Sequence, residues 1–203
     1  PPPPPFSSRS RHTRLHEKSR GLGDVYKRQD VFGVVPDIMN IAKQLTNGAI
    51  PMGAVIASAE IYQTFMEQGG PDYMLEFPHG YTYSAHPVAC AAGIAALDIL
   101  QQEQLPQRVA QLAPYFVDGL QQLKGSPHVS DIRNYGFAGA LQLQAYPGEP
   151  ARRPYEIAQR MWEKGFYVRY GGDTIQLGLP FVIEKDQIDS LLSALGDTLV
   201  ELA

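Results

Sequence analysis

Apolar positions in the first half of the chain predict two short buried strands and two helices with a loop between them. The run that ends at Ala42 is rich in β-branched residues, as buried strands are. Pro87 suits the first turn of a helix, because that turn needs no N–H donor at this position. The predicted elements are a strand over residues 31–42, a strand over Gly53–Ala57, a helix over Ala59–Gln68, an aromatic-rich loop over residues 69–84 and an Ala-rich helix over residues 87–104.

The second half of the pattern predicts a small α+β domain, in which two or three strands are backed by helices. Its first long helix stops before Gly125, Ser126 and Pro127, residues that commonly follow a helix end. The predicted elements are a helix over residues 107–123, strands over 129–135 and 138–144, a helix over 154–164, strands near 167–169 and 174–179, and an amphipathic helix over 185–202. We therefore expect one domain to end near residue 104 and a second to occupy residues 105–203, including a connecting helix.

Composition indicates a soluble globular protein. Of the 203 residues, 44% are hydrophobic and 19% are charged. No apolar stretch approaches the roughly 20 residues that span a bilayer, and no apolar segment follows the basic N-terminus as it does in a secretory signal. The single cysteine, Cys90, excludes an internal disulfide and fits a reducing cytoplasm. Its apolar neighbours indicate a small buried hydrophobe rather than a nucleophile.

Charge divides the chain into two unlike parts. Residues 1–29 hold seven basic and two acidic residues, a net charge of +5, whereas the remaining residues carry −9, which gives the total of −4. Residues 1–29 open with five prolines and lack apolar periodicity, so we expect them to be disordered. A basic tail can bind nucleic acid or direct localisation. The acidic body has no basic stripe, which argues against a nucleic-acid-binding protein.

Lys43 is the strongest candidate for chemistry. It follows the apolar run that ends at Ala42 and precedes the turn-rich sequence TNGAIPMG, where the backbone can approach a ligand closely. An ammonium at the end of a buried strand is costly unless it is paired, deprotonated or used covalently. A desolvated lysine suits Schiff-base chemistry, although most lysines are solvated surface charges.

The sequence PDIMNIAKQLTNGAIPMGAV, residues 36–55, resembles the active-lysine segment of the class III aminotransferases, in particular the omega-amino acid:pyruvate aminotransferases. The resemblance implies an α/β fold of fold type I, with pyridoxal 5′-phosphate (PLP) as the cofactor. It also implies that Lys43 is the catalytic lysine that binds the cofactor as a Schiff base. Residues 30–104 would then be the C-terminal part of the PLP-binding large domain, and residues 105–203 a connecting helix and an α+β C-terminal domain.

Upstream of Asp30 the resemblance stops. The family's aspartate that hydrogen-bonds the pyridine nitrogen falls in register on Arg14, a cation that would oppose the chemistry. We therefore expect residues 1–29 to be foreign sequence joined to a C-terminal fragment. A fragment of this kind lacks the main phosphate-binding turn and the aromatic that stacks on the cofactor. We expect it to be inactive alone and to associate through the exposed edge of its first strand.

The sequence HGYTYSAHP, residues 79–87, is the second candidate. Its residues alone indicate either a surface loop whose hydroxyls cap the next helix or a helix start that suits a phosphate. It resembles a family motif in which a threonine binds the cofactor phosphate across the dimer interface, and that role carries over to Thr82. Ala85 stands where glycine is usual, a change that we expect to matter little. His79 and His86 lack partners at metal-ligand spacing, so we expect structural roles for them.

The sequence YVRYGGDT, residues 167–174, is the third candidate. By itself it indicates an exposed Arg169 at a strand end before a Gly-Gly turn. It resembles the omega-aminotransferase segment whose arginine clamps a carboxylate, which implies that Arg169 binds the substrate carboxylate. Arg133, in a separate Asp-x-Arg segment, is expected to form a structural ion pair instead.

The resemblance as a whole implies transamination from an omega-amino acid or amine to a 2-oxo acid, pyruvate above all. Because Thr82 would hold the cofactor of the neighbouring subunit, it implies a homodimer or homotetramer, in the cytoplasm. An aminomutase, a decarboxylase or a racemase on the same scaffold remains an alternative, although the Arg169 segment favours the aminotransferases. No metal, nucleic acid or membrane partner is expected.

Overall fold

The computed structural model describes residues 35–71 and 73–203. The expectations for residues 1–29, and for the first part of the strand predicted over residues 31–42, lie outside the described residues. The chain divides into two compact units, one that ends at Gln104 and one that comprises Leu105–Ala203. Both α-helices and β-strands are present in each unit.

The N-terminal unit contains a two-stranded antiparallel sheet and two helices. Strand β1 pairs with β2 from Ile38 opposite Ala57 to Ala42 opposite Gly53, and a short 3₁₀ turn lies between the strands. The Ser58 side chain caps the first helix by accepting a hydrogen bond from the Ile61 N–H at 3.4 Å. The elements are β1 (Ile38–Ala42), the 3₁₀ turn (Gln44–Thr46), β2 (Gly53–Ala57), α1 (Ala59–Gln68) and α2 (Pro87–Gln102).

The prediction that these two strands are buried is wrong for the residues that the structure describes. Ile38 is 50% exposed, Val55 69% and Ile56 46%. Each strand has one sheet neighbour among the described residues, and an apolar strand becomes fully buried only when both of its faces are covered. Strand β1 also starts at Ile38. The preceding Pro36 has no N–H with which to extend the ladder.

The C-terminal unit is an α+β unit, as the pattern predicted, but its antiparallel sheet has four strands rather than two or three and is packed with three helices. The strand order is β3-β4-β6-β5, and each neighbouring pair is antiparallel. The elements are α3 (Leu105–Gln121), β3 (Val129–Tyr135), β4 (Ala138–Leu143), α4 (Arg152–Glu163), β5 (Arg169–Gly171), β6 (Thr174–Gly178) and α5 (Lys185–Glu201). One difference concerns the site: β5 was predicted to end at Arg169, whereas it begins there.

Alternate positions of the strands and one face of each helix supply the core of this unit. Leu141 of β4 is paired with Ile175 of β6, and neither side chain is exposed. Phe116 of α3 contacts Phe137 edge to face, with ring centroids 6.4 Å apart. Other fully buried side chains come from all three helices, among them Leu120, Ile157, Met161, Ile188, Leu195 and Leu199. Burial of this kind stabilises each side chain by about 1.5–3 kcal/mol.

Polar contacts connect the helices at the rim of this core. The Tyr115 hydroxyl donates to both carboxylate oxygens of Asp189, at 2.6 and 2.7 Å, which joins α3 to α5. This hydrogen bond raises the pKa of Tyr115, and burial and the negative charge of Asp189 act in the same direction. The Lys164 ammonium donates to the buried Thr198 hydroxyl and to Glu201, each at 2.9 Å, and so fixes the end of α4 against α5.

Candidate functional site

Lys43 lies directly after β1 and has an unusual backbone conformation. Its φ is 62° and its ψ is −85°, close to the γ-turn with positive φ, which is rare and strained for an L-residue. Strain of this kind costs on the order of 1–3 kcal/mol and persists only where the surrounding structure enforces it, which occurs most often at functional sites. The conformation of Lys43 therefore marks this position as a candidate site independently of any motif.

Backbone hydrogen bonds close the chain around Lys43 into a compact loop, residues 43–50, which we call the lysine loop. The Lys43 carbonyl accepts the N–H groups of Thr46 and Gly48, both at 3.3 Å. The Thr46 side chain is 2% exposed, and its hydroxyl donates to the Ile50 carbonyl at 2.6 Å. Asn47 takes a left-handed conformation at φ 50°, which asparagine tolerates better than most residues.

Helix α2 supports the lysine loop from one side. The 3₁₀ turn packs against α2, and both Leu45 of the turn and Ala89 of the helix are buried. A Cβ atom at Gly93 of α2 would lie 3.6 Å from the Leu45 carbonyl oxygen and 3.5 Å from the Met52 sulfur, so the helix backbone lies close to the loop. The loop is thus anchored to a regular element.

The Lys43 side chain itself is exposed, contrary to the expectation of a desolvated ammonium. The expectation assumed a buried strand, and β1 is not buried among the described residues. No hydrogen bond or ion pair joins the Lys43 ammonium to any other residue that the structure describes. The amine is therefore accessible to a ligand.

Thr82 lies in a turn that leads into α2. The Tyr81 carbonyl accepts the Ser84 N–H at 2.9 Å, and the Ser84 hydroxyl accepts the Tyr81 N–H at 3.0 Å. The Ser84 hydroxyl is therefore occupied within the turn, and no side chain caps α2. Thr82 is exposed and has no side-chain hydrogen bond to the rest of the described chain. Thr82 precedes the uncapped start of α2 by five positions, and exposed hydroxyls and free helix N–H groups are both groups that can bind a phosphate.

Ala85 in the same turn has a φ of 57°. This is the left-handed region, in which an L-residue with a Cβ is strained and glycine is not. Alanine at this position therefore carries a conformational cost that glycine would not.

The two histidines that flank this turn show no metal-binding arrangement. Within the described ranges no group of three His, Cys, Asp or Glu side chains is placed to hold a metal ion. The His79 ring lies between Phe77 and Tyr81, with centroids 5.4 and 5.2 Å away. The His86 ring contacts Tyr83 at 5.7 Å, and its buried Nδ1 has no hydrogen-bond partner among the described residues.

Arg169 begins β5 and lies opposite Gln176 of β6, with both side chains exposed. The nearest acid in sequence, Asp173, accepts hydrogen bonds from Gln142 and Thr174, each at 3.0 Å. The Arg169 guanidinium makes no ion pair within the part of the chain that the structure describes. Its donors are therefore available to an external carboxylate.

Arg133 differs from Arg169 in this respect. Its guanidinium lies 3.5 Å from the Asp131 carboxylate, and both side chains are more than half exposed.

Lys43 and Thr82 belong to the N-terminal unit, whereas Arg169 belongs to the C-terminal unit. Sequence reasoning did not identify Thr46 as part of the site, because the closure of the loop by its hydroxyl has no sequence signature.

No helix among the described residues is both long enough and apolar enough to cross a membrane.

Comparison with known proteins identifies relatives of the chain. A family model described as aminotransferase class-III matches residues 22–199, so the expectation that the resemblance stops upstream of Asp30 is wrong for residues 22–29. The chain is 56% identical over 178 residues to the beta-alanine–pyruvate aminotransferase of Pseudomonas aeruginosa, an alignment that covers 88% of this chain and 40% of that protein. It is 58% identical over 173 residues to the omega-amino acid–pyruvate aminotransferase of Pseudomonas putida, covering 85% of this chain and 38% of the relative.

A solved structure shows the same similarity in three dimensions. The amine transaminase from an uncultivated Pseudomonas species, in its PLP-bound form, matches with a TM-score of 0.78 and 34% identity over 86% of this chain and 40% of that chain. The predicted fold class, a partial α/β fold of the PLP-dependent fold type I, is confirmed. The chain spans about 40% of the length of the curated relatives that it matches.

Proposed function

Because this chain belongs to the class III aminotransferases, we propose that it is part of an enzyme that transfers an amino group from an omega-amino acid or amine to a 2-oxo acid, with pyruvate as the acceptor. The names of the two Pseudomonas relatives support this substrate pair. The observation that carries the proposal is Lys43, an exposed amine on a strained backbone of φ 62°, within the segment that resembles the family's active lysine.

The described residues fit PLP as the cofactor. Lys43 offers a primary amine, and Thr82 offers an exposed hydroxyl in the turn that leads into the uncapped N-terminus of α2. When bound, PLP supplies an aldehyde that reacts with primary amines and a ring that stabilises the electron pair left when a proton leaves the neighbouring carbon. Lys43 would hold the aldehyde end, and Thr82 would donate a hydrogen bond to a phosphate oxygen.

Lys43 would have a second role whenever its amine is free. Its free Nζ accepts the proton that leaves the amine-bearing carbon of the donor. In the reverse half-reaction the same Nζ donates a proton to the acceptor carbon that becomes the new amine-bearing carbon. An exposed amine without a competing ion pair among the described residues suits both transfers.

Arg169 orients the carboxylate of the acceptor. A guanidinium presents parallel N–H donors that match the two oxygens of a carboxylate. The occupied carboxylate of Asp173 leaves these donors available, which supports the assignment. We further propose that Thr82 binds the cofactor phosphate of a neighbouring subunit, so that a homodimer is the smallest active unit and a homotetramer is a pair of such dimers.

The Lys43 assignment is tested by trapping. The chain is incubated with PLP, reduced with borohydride and digested, and the adduct is quantified on each lysine-containing peptide by mass spectrometry. We expect the adduct to concentrate on the Lys43 peptide, with the exposed lysines Lys124 and Lys185 as internal references. Loss of this signal in Lys43→Ala, with the reference lysines unchanged, supports the assignment. Equal labelling of Lys43 and the references would contradict it.

The activity is tested in a hybrid protein. The segment before Asp30 is replaced by the corresponding N-terminal region of the Pseudomonas aeruginosa relative, and alanine formation from beta-alanine and pyruvate is measured. We expect turnover in the hybrid, none in its Lys43→Ala variant and none in the 203-residue chain alone. A hybrid that binds PLP at Lys43 yet forms no alanine would point to another reaction of the family.

A further inference from the structure

We propose that Thr46 is a positioning residue, whose buried hydroxyl holds Lys43 in its strained backbone conformation by closing the lysine loop. The inference rests on the proposed function for its chemical meaning, since Lys43 is the residue that is positioned. Its structural content concerns only residues 43–50 and helix α2, and it can be tested without cofactor.

The hydroxyl of Thr46 is placed to close the loop. Oγ1 donates to the Ile50 carbonyl at 2.6 Å, four residues further along the chain. Thr46 is 2% exposed, so water does not compete freely for its hydroxyl. Without the hydroxyl, the Ile50 carbonyl would lose this partner in a place where an unpaired polar group is costly.

The same residue contacts Lys43 through its backbone. The Thr46 N–H and the Gly48 N–H both bond to the Lys43 carbonyl at 3.3 Å, and the Thr46 carbonyl accepts the Ala49 N–H at 3.0 Å. Both ends of the loop thus meet at Thr46. These bonds fix the plane of the peptide after Lys43, which sets its ψ of −85°.

Helix α2 prevents the loop from relaxing as a unit. Leu45, between Gln44 and Thr46, is 5% exposed, and the turn that contains it packs on α2 near Ala89 and Gly93. Because Leu45 anchors the loop and Thr46 closes it, the backbone of Lys43 has to adopt the strained conformation at φ 62°. A strained residue held in this way has a fixed backbone, so its side chain starts from a defined point.

A double-mutant cycle in the 203-residue chain tests the proposal. The variants are Thr46→Val, which removes the hydroxyl and keeps the side-chain shape, Lys43→Gly, which removes the strain, and the two together. Hydrogen exchange of the Gly48 and Ala49 amides reports loop opening. We expect exchange about tenfold faster in Thr46→Val. We expect it to be severalfold slower in Lys43→Gly, since glycine adopts positive φ without strain.

The coupling between the two changes decides the outcome. If the Thr46 hydroxyl imposes the strain, Lys43→Gly should slow exchange in the native background and change it less than twofold in the Thr46→Val background. Equal factors in both backgrounds would overturn the proposal, because the strain would then have another cause. Exchange of the Gly69 amide, which bonds to the Phe65 carbonyl at 2.8 Å beyond α1, reports whether the unit as a whole has lost its structure.

Thr46→Ser is the conservative control and keeps the test meaningful if Thr46→Val unfolds. Serine retains the hydroxyl, so it should restore native exchange at Gly48 and native borohydride-trapped PLP on Lys43 relative to Lys124. A Thr46→Ser variant that behaves like Thr46→Val would overturn the proposal, since the methyl group would then be the important part. If the cycle shows coupling but PLP labels all lysines equally, Thr46 still positions Lys43 and the proposed function alone fails.

Discussion

Three residues with a Cβ have positive φ beside the proposed site, and apart from Asn47, which tolerates this conformation, they are Lys43 at φ 62° and Ala85 at φ 57°. Lys43 and Ala85 differ in whether a chemical role is proposed for the strained residue. Lys43 cannot be exchanged for glycine without loss of the amine, so its strain is tied to the proposed chemistry. The Ala85 side chain is a methyl group in an exposed turn, and no chemical role is proposed for it.

Replacing Ala85 by Gly should therefore stabilise the turn that leads into α2. Relief of the strain gives about 1–2 kcal/mol, of which the greater freedom of glycine in the unfolded chain removes about half, leaving roughly 0.5–1 kcal/mol. Hydrogen exchange of the Cys90 amide, which bonds to the His86 carbonyl at 3.0 Å in the first turn of α2, measures the effect. The matched control Ala95→Gly, exposed in the middle of α2, should destabilise the helix by about 1 kcal/mol. Faster exchange in Ala85→Gly would argue against the strain.

Arg169 is the residue for which the proposed function predicts a selective kinetic effect. In the active hybrid, Arg169→Ala should raise the KM for pyruvate, because a lost charge-assisted hydrogen bond costs about 1.5–3 kcal/mol. The KM for an amine donor without a carboxylate should change much less. Steady-state kinetics in which pyruvate and the amine donor are varied in turn measure the two KM values. The control is Arg133→Ala, an exposed arginine that is ion-paired with Asp131 and should leave both KM values near native. An equal rise in the KM for pyruvate and in the KM for the amine donor would indicate a structural role for Arg169.

At the scale of elements, β4 and α3 pack too closely for any side chain larger than hydrogen at Gly139. A Cβ atom there would lie 2.9 Å from both Leu120 Cδ2 and Phe116 Cζ. Phe116 and Leu120 are fully buried, so neither can move aside without disturbing the core. The sheet and the helix can therefore pack this closely only because residue 139 has no side chain.

Gly139→Ala should accordingly destabilise the C-terminal unit by about 1–3 kcal/mol through overpacking. The matched control is Gly178→Ala on the neighbouring strand β6, where a Cβ atom meets nothing within 4 Å and φ is not positive. That change should be neutral or stabilise by up to about 1 kcal/mol. Urea unfolding followed by far-UV circular dichroism compares the two. Similar midpoints for both variants would show that the core accommodates the added methyl group.

At the scale of the whole molecule, the described core is unevenly divided between the two units. The hydrophobic cluster that includes Phe116, Leu141 and Leu195 lies entirely within Leu105–Ala203. In the described part of the N-terminal unit, the buried apolar side chains are Leu45, Ala89 and Leu100. Large apolar side chains there, among them Val35, Tyr73, Leu75 and Ile94, are more than 60% exposed. Apolar burial is the main favourable term in folding, so the two units should differ in stability.

We therefore expect Leu105–Ala203 to fold by itself. Its isolated fragment should unfold in one cooperative urea transition, with a free energy of unfolding of about 5–15 kcal/mol, as is usual for domains of this size. A fragment of residues 30–104 is the control, and it should show no cooperative transition and should associate as its concentration rises. Circular dichroism and light scattering measure both properties. A non-cooperative melt of Leu105–Ala203 would mean that its core depends on the other unit.

The sequence by itself determined most of the elements and the candidate residues. Pro87 marks the start of α2, and Gly125, Ser126 and Pro127 follow the end of α3, because the residues that begin and end a helix are local properties of the chain. The segments around Lys43, Thr82 and Arg169 indicated the family for the same reason. A motif formed by contiguous residues can be identified from the sequence alone.

Only the tertiary structure decided how these residues are held. The positive φ of Lys43 and of Ala85, the bond from Thr46 to Ile50, and the exposure of β1 have no local signature. Strain and burial are set by what surrounds a residue, since a backbone angle is enforced by neighbouring hydrogen bonds and a strand is buried only by elements that cover it. The apolar run before Lys43 predicted a strand that ends at Ala42, as observed, but the strand begins at Ile38 and the described residues do not cover it.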